Sequence, residues 1–162
     1  MHEFTKEQTV AWMSGLEKRM SSGTVAVCAD DRVVVVKAHY KRYWSFPGGV
    51  IDHGETPLAA AIREVAEEVG ITLQADQLEF RLIVDRMSDL AQTYQFVYET
   101  HVAGDVFDMI QIDNHEIEDV AIVTRQQILD GDRHYSQTAR HWASGQTGYV
   151  EQQFGAGAQG EI

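Results

Sequence analysis

The chain has 162 residues, 44% hydrophobic and 23% charged, which predicts one globular domain over 1–162 rather than a disordered chain. Its formal net charge of −12 argues against partners such as nucleic acid or an anionic membrane, because both require a basic face. Nothing in the sequence is as long and apolar as a membrane span of about 18 residues. The start of the chain also lacks the pattern of a secretory signal. We therefore expect a cytoplasmic protein in which the single cysteine, Cys28, is a core residue.

The first segment, 1–21, is predicted to be a helix from Thr5 to about Met20. Thr5 and Gln8 have the spacing of a capping box, in which each side chain bonds to the backbone of the other residue. Apolar residues then recur at four-residue intervals from Trp12 to Met20, which is typical of one face of a helix.

Two pairs of strands are predicted next. The segments 23–29 and 33–38 are rich in β-branched residues, and the turn-forming pair Asp30–Asp31 separates them. The segments 78–85 and 92–102 alternate apolar and polar residues, and we expect them to be antiparallel neighbours. A further strand is predicted at 119–123.

Two short helices are predicted near the end of the chain. Thr124 and Gln127 form a second capping box, and Ser136 can cap another helix. The Gly-rich tail 155–162 is expected to be flexible.

The central helix has the clearest boundaries. Thr56 is a preferred N-cap residue, Pro57 suits the first turn, and Gly70 suits a left-handed C-cap. On a helical wheel its apolar side chains fall on one side and should face the core. They are Leu58, Ala61, Ile62, Val65 and Val69.

Three glutamates, Glu64, Glu67 and Glu68, fall on another side of this helix at i, i+3 and i+4 spacing. Like charges so placed repel, and they lie toward the end of the helix where its dipole disfavours anions. A solvated acidic face is one interpretation of this cluster. A divalent cation held by the carboxylates is the other, because Mg²⁺ prefers hard oxygen ligands.

The wider pattern G-x5-E-x7-R-E-U-x-E-E-x-G-U, where U is a bulky aliphatic residue, decides between these interpretations. The segment Gly49–Ile71 fills every fixed place. The nine residues are Gly49, Glu55, Arg63, Glu64, Val65, Glu67, Glu68, Gly70 and Ile71. This segment resembles the Nudix box, and the chain resembles a Nudix hydrolase. The fold implied is α/β, an α/β/α sandwich with a mixed β-sheet between helices.

The resemblance implies hydrolysis of a nucleoside diphosphate linked to another group, with Mg²⁺ or Mn²⁺ as the cofactor. It implies that Glu64, Glu67, Glu68 and the carbonyl of Gly49 are metal ligands. Such ions neutralise phosphate charge and activate water.

Arg63 and Glu55 are expected to orient the ligands rather than to bind metal. The general base is left open between a box glutamate, such as Glu67 or Glu64, and a downstream acid. Glu116 is the downstream choice, with Glu118 in reserve, although both can also be ordinary loop acids.

Four residues outside the box are candidates for substrate binding: Lys37, Tyr40, Arg42 and Tyr43. Arg42 can meet phosphate, and either tyrosine can stack on a base, but each of the four can instead be a solvated or partly buried loop residue.

Substrate markers beyond the box are missing. ADP-ribose-directed relatives often carry a proline about fifteen residues past the box, and diadenosine-polyphosphate enzymes often carry a tyrosine slightly later. By elimination we expect a nucleoside triphosphate or a modified nucleotide as the substrate. Nucleoside diphosphate sugars and ADP-ribose stay open, as does a non-catalytic nucleotide sensor. A homodimer is also left open, since no feature identifies an interface.

Overall fold

The computed structural model describes residues 4–87 and 91–153. Within these ranges the helices are α1 (Lys6–Ser14), α2 (Pro57–Val69), α3 (Arg125–Asp130) and α4 (Gln137–Ala143). The strands are β1 (Met20–Ala29), β2 (Arg32–Ala38), β3 (Gly48–Val50), β4 (Glu79–Met87), β5 (Gln92–His101), β6 (Ile117–Thr124) and β7 (Gly148–Gln153).

The strands form one mixed sheet in the order β6-β2-β1-β5-β4-β7, and β3 adds to it by pairing with β1. β1 runs parallel to β5, and β4 runs parallel to β7, whereas the other pairs are antiparallel. The antiparallel pairing predicted for the segments 78–85 and 92–102 is therefore confirmed.

The sheet buries a separate apolar cluster on each face. One face packs on α2 through Ala61, Val65 and Val69. The other face packs on α3 and α4, where Ile128 and Trp142 are buried. This arrangement confirms the predicted α/β/α sandwich with a mixed sheet between helices.

Helix α2 begins and ends where its caps predict. The Thr56 hydroxyl accepts a hydrogen bond from the backbone N–H of Ala59 at 3.1 Å, and Pro57 occupies the first turn. Gly70 ends the helix with a φ of 72°, the left-handed conformation that favours glycine. The helix packs closely on β1 at Gly23. A Cβ added to this glycine would overlap the Pro57 carbonyl oxygen.

The predicted N-terminal helix is too long. Its capping box forms as expected, with the N–H of Gln8 donating to the Thr5 hydroxyl at 3.2 Å. Helix α1 nevertheless ends at Ser14, and residues from Met20 onward belong to β1. No residue of α1 is buried, and Trp12 is 65% exposed, so no packing face extends the helix past Gly15.

Some elements of the structure were not predicted, and one predicted segment lies outside the described residues. Strand β7 and the 3₁₀ turn Gly104–Met109 were not predicted. The tail 155–162 lies outside the described residues. Among the described residues, no helix has the length and apolar character needed to cross a membrane.

Candidate active site

A cleft of about 490 Å³ opens where β3, the C-terminal half of α2 and the loop after β2 meet. The glycine-rich strand β3 supplies Gly49 to its wall, and α2 supplies Arg63, Glu64 and Glu67. Tyr40, from the loop after β2, also lines the cleft.

Arg63 is the centre of the charged network. Its guanidinium makes a two-pronged contact with Glu55, with N–O distances of 3.0 Å, and also donates to the carbonyl of Val50. Its Nη1 donates to Glu64 at 2.8 Å and to Glu67 at 2.9 Å. These hydrogen bonds, with Glu55 first, raise the pKa of Arg63, so it is a fixed positive charge between the carboxylates.

The three glutamates of α2 do not share one solvated face. The Glu67 side chain is 57% exposed, whereas that of Glu64 is 13% exposed and Glu68 is buried. The Glu68 carboxylate accepts a hydrogen bond from the N–H of Gly48 at 2.8 Å. Burial raises the pKa of Glu68 to about 8, while the Gly48 hydrogen bond and the nearby Lys41 oppose that rise.

The two glycines of β3 serve different purposes. Gly48 has a φ of 150°, and a Cβ there would overlap the carbonyl of Gly23 and the backbone of Thr24. A Cβ on Gly49 would instead overlap the carboxylate of Glu64. The absence of a side chain at Gly49 therefore leaves the space that the Glu64 carboxylate occupies.

The chemistry of this site fits a hard divalent cation. Its donors are carboxylate oxygens, the ligands that Mg²⁺ and Mn²⁺ prefer, and Gly49 leaves the backbone accessible beside Glu64. Across residues 4–87 and 91–153, no three His, Cys, Asp or Glu side chains are already arranged to hold a metal ion. Arg63 explains this, because its guanidinium lies between Glu64 and Glu67 and neutralises them.

The downstream acid Glu116 reaches the same cleft. The Tyr40 hydroxyl donates to its carboxylate at 3.1 Å, and both residues line the cavity. The reserve candidate, Glu118, instead pairs with Lys37 at 3.0 Å, and neither of these two lines the cleft.

The other predicted substrate residues have different positions. Tyr43 lines the cleft but is only 4% exposed, and its ring packs edge-on against His134. Arg42 is exposed and does not line the cleft. Neither Lys37 nor Arg42 lines the cavity, and their role in substrate binding stays a prediction.

Sequence reasoning missed one end of the cleft, which is built by residues from five separate segments. They are Met20, Ser22, Ser45, Arg86, Gln95 and Ser136. None belongs to a motif. Gln95 shares one face of β5 with the buried Thr93, Val97 and Glu99, and this is not the face that carries the aromatic residues of the strand.

The comparison with known families matches the NUDIX domain over residues 18–143, which is most of the chain. The chain belongs to the Nudix family.

Two curated relatives are similar to this Nudix domain over shorter stretches. A MutT-like protein of Streptomyces ambofaciens is 37% identical over 59 residues, which is 36% of this chain and 38% of that protein. An 8-oxo-dGTP diphosphatase of Escherichia coli is 57% identical over 37 residues, 23% of this chain and 29% of that protein. The matched part is thus less than half the length of either relative.

A solved structure shows the same fold over more of the chain. The NUDIX domain of Shewanella oneidensis NrtR, complexed with ADP ribose, has a TM-score of 0.69 and 15% identity. The superposition covers 87% of this Nudix domain and 97% of that chain.

Proposed function

We propose that this Nudix domain hydrolyses a phosphoanhydride bond of a nucleoside triphosphate or a modified nucleotide, with a divalent cation as cofactor. One observation carries the proposal. Three acids from two distant segments, Glu64 and Glu67 of α2 and the downstream Glu116, line one cleft together with Arg63, and Glu68 is buried beside it. The names of the two curated relatives, MutT-like protein and 8-oxo-dGTP diphosphatase, agree with a nucleotide substrate.

In this proposal Glu64, Glu67, Glu68 and the carbonyl of Gly49 hold Mg²⁺ or Mn²⁺. A divalent cation bound there supplies electrostatic stabilisation for the charge that develops on the phosphates. The chain alone has a formal charge of −12, which would otherwise repel a polyphosphate.

Arg63 and Glu55 position the acidic ligands. The two-pronged contact of Glu55 fixes the plane of the guanidinium, and the remaining Nη1 then holds Glu64 and Glu67. Neither residue needs to contact the substrate in this role.

The proton of the attacking water requires an acceptor within the cleft. Glu116 and Glu67 are both candidates, because both line the cavity. Glu116 already accepts a hydrogen bond from Tyr40, so a substrate that moves Tyr40 also changes the hydrogen bonding of Glu116.

We assign the nucleoside end of the substrate to the wall that contains Tyr40 and Tyr43. Tyr40 is 67% exposed and can stack on a base, whereas the buried Tyr43 supports the wall from behind. Lys41 also lines the cleft, and its charge opposes the rise in the pKa of Glu68.

The experiment is a panel of nucleotides incubated with Mg²⁺ or Mn²⁺, with chromatographic identification of every product. The proposal predicts release of a nucleotide product and pyrophosphate or phosphate from nucleoside triphosphates, and no turnover with EDTA. No cleavage of any triphosphate in the panel would overturn it.

A second candidate substrate is ADP-ribose, because the NUDIX domain of Shewanella oneidensis NrtR, which has a similar fold, is complexed with that ligand. The panel therefore also contains ADP-ribose and a nucleoside diphosphate sugar. Cleavage of either in preference to triphosphates would select that substrate class. Tight binding of a nucleotide without turnover would favour the sensor.

A further inference from the structure

We propose that one end of the cleft, which we call the donor end, selects nucleobases with an oxo group over bases with an amino group at the same position. The donor end consists of Ser22, Ser45, Arg86 and Gln95, all of which line the cavity. The inference rests on the proposed function, since it assigns the base specificity of that activity.

The register of the sheet brings three of these residues together, and Ser45 lines the same cavity from the segment before β3. Ser22 on β1 is the parallel partner of Gln95 on β5, so their side chains lie side by side on one face. Gln95 is also opposite Val84 on β4, and Arg86 follows Val84 by two positions on the same face. The face that buries the core cluster around Val84 thus becomes polar at the cleft.

A neighbouring helix fixes which end of the Gln95 amide is left for a ligand. The hydroxyl of Thr138, a buried residue of α4, donates to Oε1 of Gln95 at 2.6 Å. The carbonyl oxygen is therefore occupied, and the amide nitrogen is the group that Gln95 offers to the cleft. An amide nitrogen only donates hydrogen bonds.

The two serines supply buried hydroxyls whose hydrogen-bonding capacity is unused. Ser22 and Ser45 are each 8% exposed, and neither hydroxyl has a hydrogen-bond partner among the described residues. Buried polar groups are normally satisfied, and those that are not often mark a place where water or a ligand completes the hydrogen bonds. Both residues line the cleft, so a ligand seated there is the available partner.

The donors at this end outnumber the acceptors. The guanidinium of Arg86 and the amide nitrogen of Gln95 can only donate, and the serine hydroxyls can do either. Among the described residues of the donor end there is no carboxylate. An oxo group accepts hydrogen bonds from all four side chains, whereas an amino group could pair only with a serine hydroxyl and would present a donor to the amide nitrogen of Gln95.

The test compares substrates that differ in this group and in the adjacent ring nitrogen, which carries a hydrogen beside an oxo group and none beside an amino group. Inosine and adenosine triphosphates differ by a 6-oxo against a 6-amino group, and uridine and cytidine triphosphates differ likewise at position 4. We expect kcat/KM to favour the oxo member of each pair by about tenfold or more, as one well-placed hydrogen bond allows. Ratios close to one, with both members cleaved, would overturn the proposal.

Two variants locate the selectivity. Gln95→Glu replaces a donor with an acceptor and should move both ratios toward the amino member by about tenfold. Gln153→Glu makes the same change at an exposed position of β7 outside the cleft, and should leave both ratios as in the wild type. Ser22→Ala should lower the oxo preference without reversing it. This variant provides the test if Gln95→Glu does not fold.

A binding measurement separates this inference from the proposed function. Calorimetric titration with inosine and adenosine monophosphates requires no turnover. If triphosphates are not cleaved but the oxo monophosphate binds more tightly, the donor end is supported and the hydrolase proposal fails. If triphosphates are cleaved but neither kinetics nor binding separates oxo from amino bases, only the inference fails.

Discussion

The carboxylate of Glu68 accepts a hydrogen bond from the backbone N–H of Gly48 at 2.8 Å, and this contact joins helix α2 to strand β3. It holds the glycine-rich strand against the acidic side of the helix. Because Gly49 follows directly and makes room for the Glu64 carboxylate, the helix and the strand form a single unit around the candidate metal ligands.

Gly49→Ala tests this close approach. The added Cβ would overlap the Glu64 carboxylate, so Glu64 must move, and we expect kcat to fall by about tenfold or more. Gly15→Ala is the control, since Gly15 has a φ of −84° and its Cβ would lie 3.5 Å from the nearest atom. Equal activity of the two variants and the wild type would contradict the role given to Gly49.

Arg63 should behave as a positioning residue. Arg63→Gln removes the contacts to Glu55, Glu64 and Glu67, and we expect kcat to fall by about 10- to 100-fold at saturating Mg²⁺. Arg63→Lys keeps the charge but not the two-pronged geometry, and should restore only part of the activity.

The measurement is the split between kcat and KM in these variants, with Arg32→Gln as the control. Arg32 lies over the ring of Phe107 and does not line the cleft. A Gln variant of Arg63 that loses only substrate affinity would point to direct substrate contact instead.

Cys28 should be chemically inert in the folded protein. Burial, with the nearby Glu99 carboxylate, raises the pKa of its thiol to about 12, and the thiolate is the reactive form. We expect no reaction with a thiol reagent under native conditions and complete reaction in denaturant. Labelling of the native protein as fast as the unfolded chain would show that Cys28 is accessible.

Glu99 should make the fold sensitive to acid. Burial alone would raise its pKa, but hydrogen bonds from Trp142 and His101 and the charge of Arg81 lower it below the usual value of 4.5. A lowered pKa in the folded state contributes stability above the unfolded value, and that stability is lost as the pH falls through the folded value. The free energy of unfolding should therefore decrease below about pH 4.5.

Glu99→Gln should reduce stability at neutral pH and flatten this acid dependence. The matched control is Glu151→Gln, since Glu151 is an exposed glutamate of β7. Denaturant titrations at several pH values give the free energies. A Glu99 variant with the same acid slope as the wild type would show that another group controls the dependence.

The parts of the fold that the sequence predicted are those set by local chemistry. Thr56 and Gly70 bound α2 because capping depends on a few neighbouring residues. Strand β7 was missed because its residues are mostly polar and it pairs with β4, far away in the chain. The exposed Trp12 shows the same limit, because periodicity does not tell whether a packing partner exists.

The residues of the candidate site also fall into a group that local sequence predicts and a group that depends on the tertiary structure. The box residues were predicted because they lie in one continuous pattern, and Glu116 was predicted from its place downstream. Ser22 and Gln95 could not be predicted, since only the parallel register of β1 and β5 brings them together. The position of Arg63 between Glu64 and Glu67 likewise depends on side-chain geometry rather than on spacing.

The most direct test of the central claim is the hydrolysis of nucleoside triphosphates in Mg²⁺ by Glu67→Gln and Glu68→Gln, with Glu79→Gln as the control. These substitutions replace a carboxylate that can bind a metal ion with a neutral amide of nearly the same shape. We predict that both variants remain folded and lose activity by orders of magnitude, while the control keeps wild-type turnover. Near wild-type turnover of both variants in saturating Mg²⁺ would contradict the assignment of these carboxylates as metal ligands.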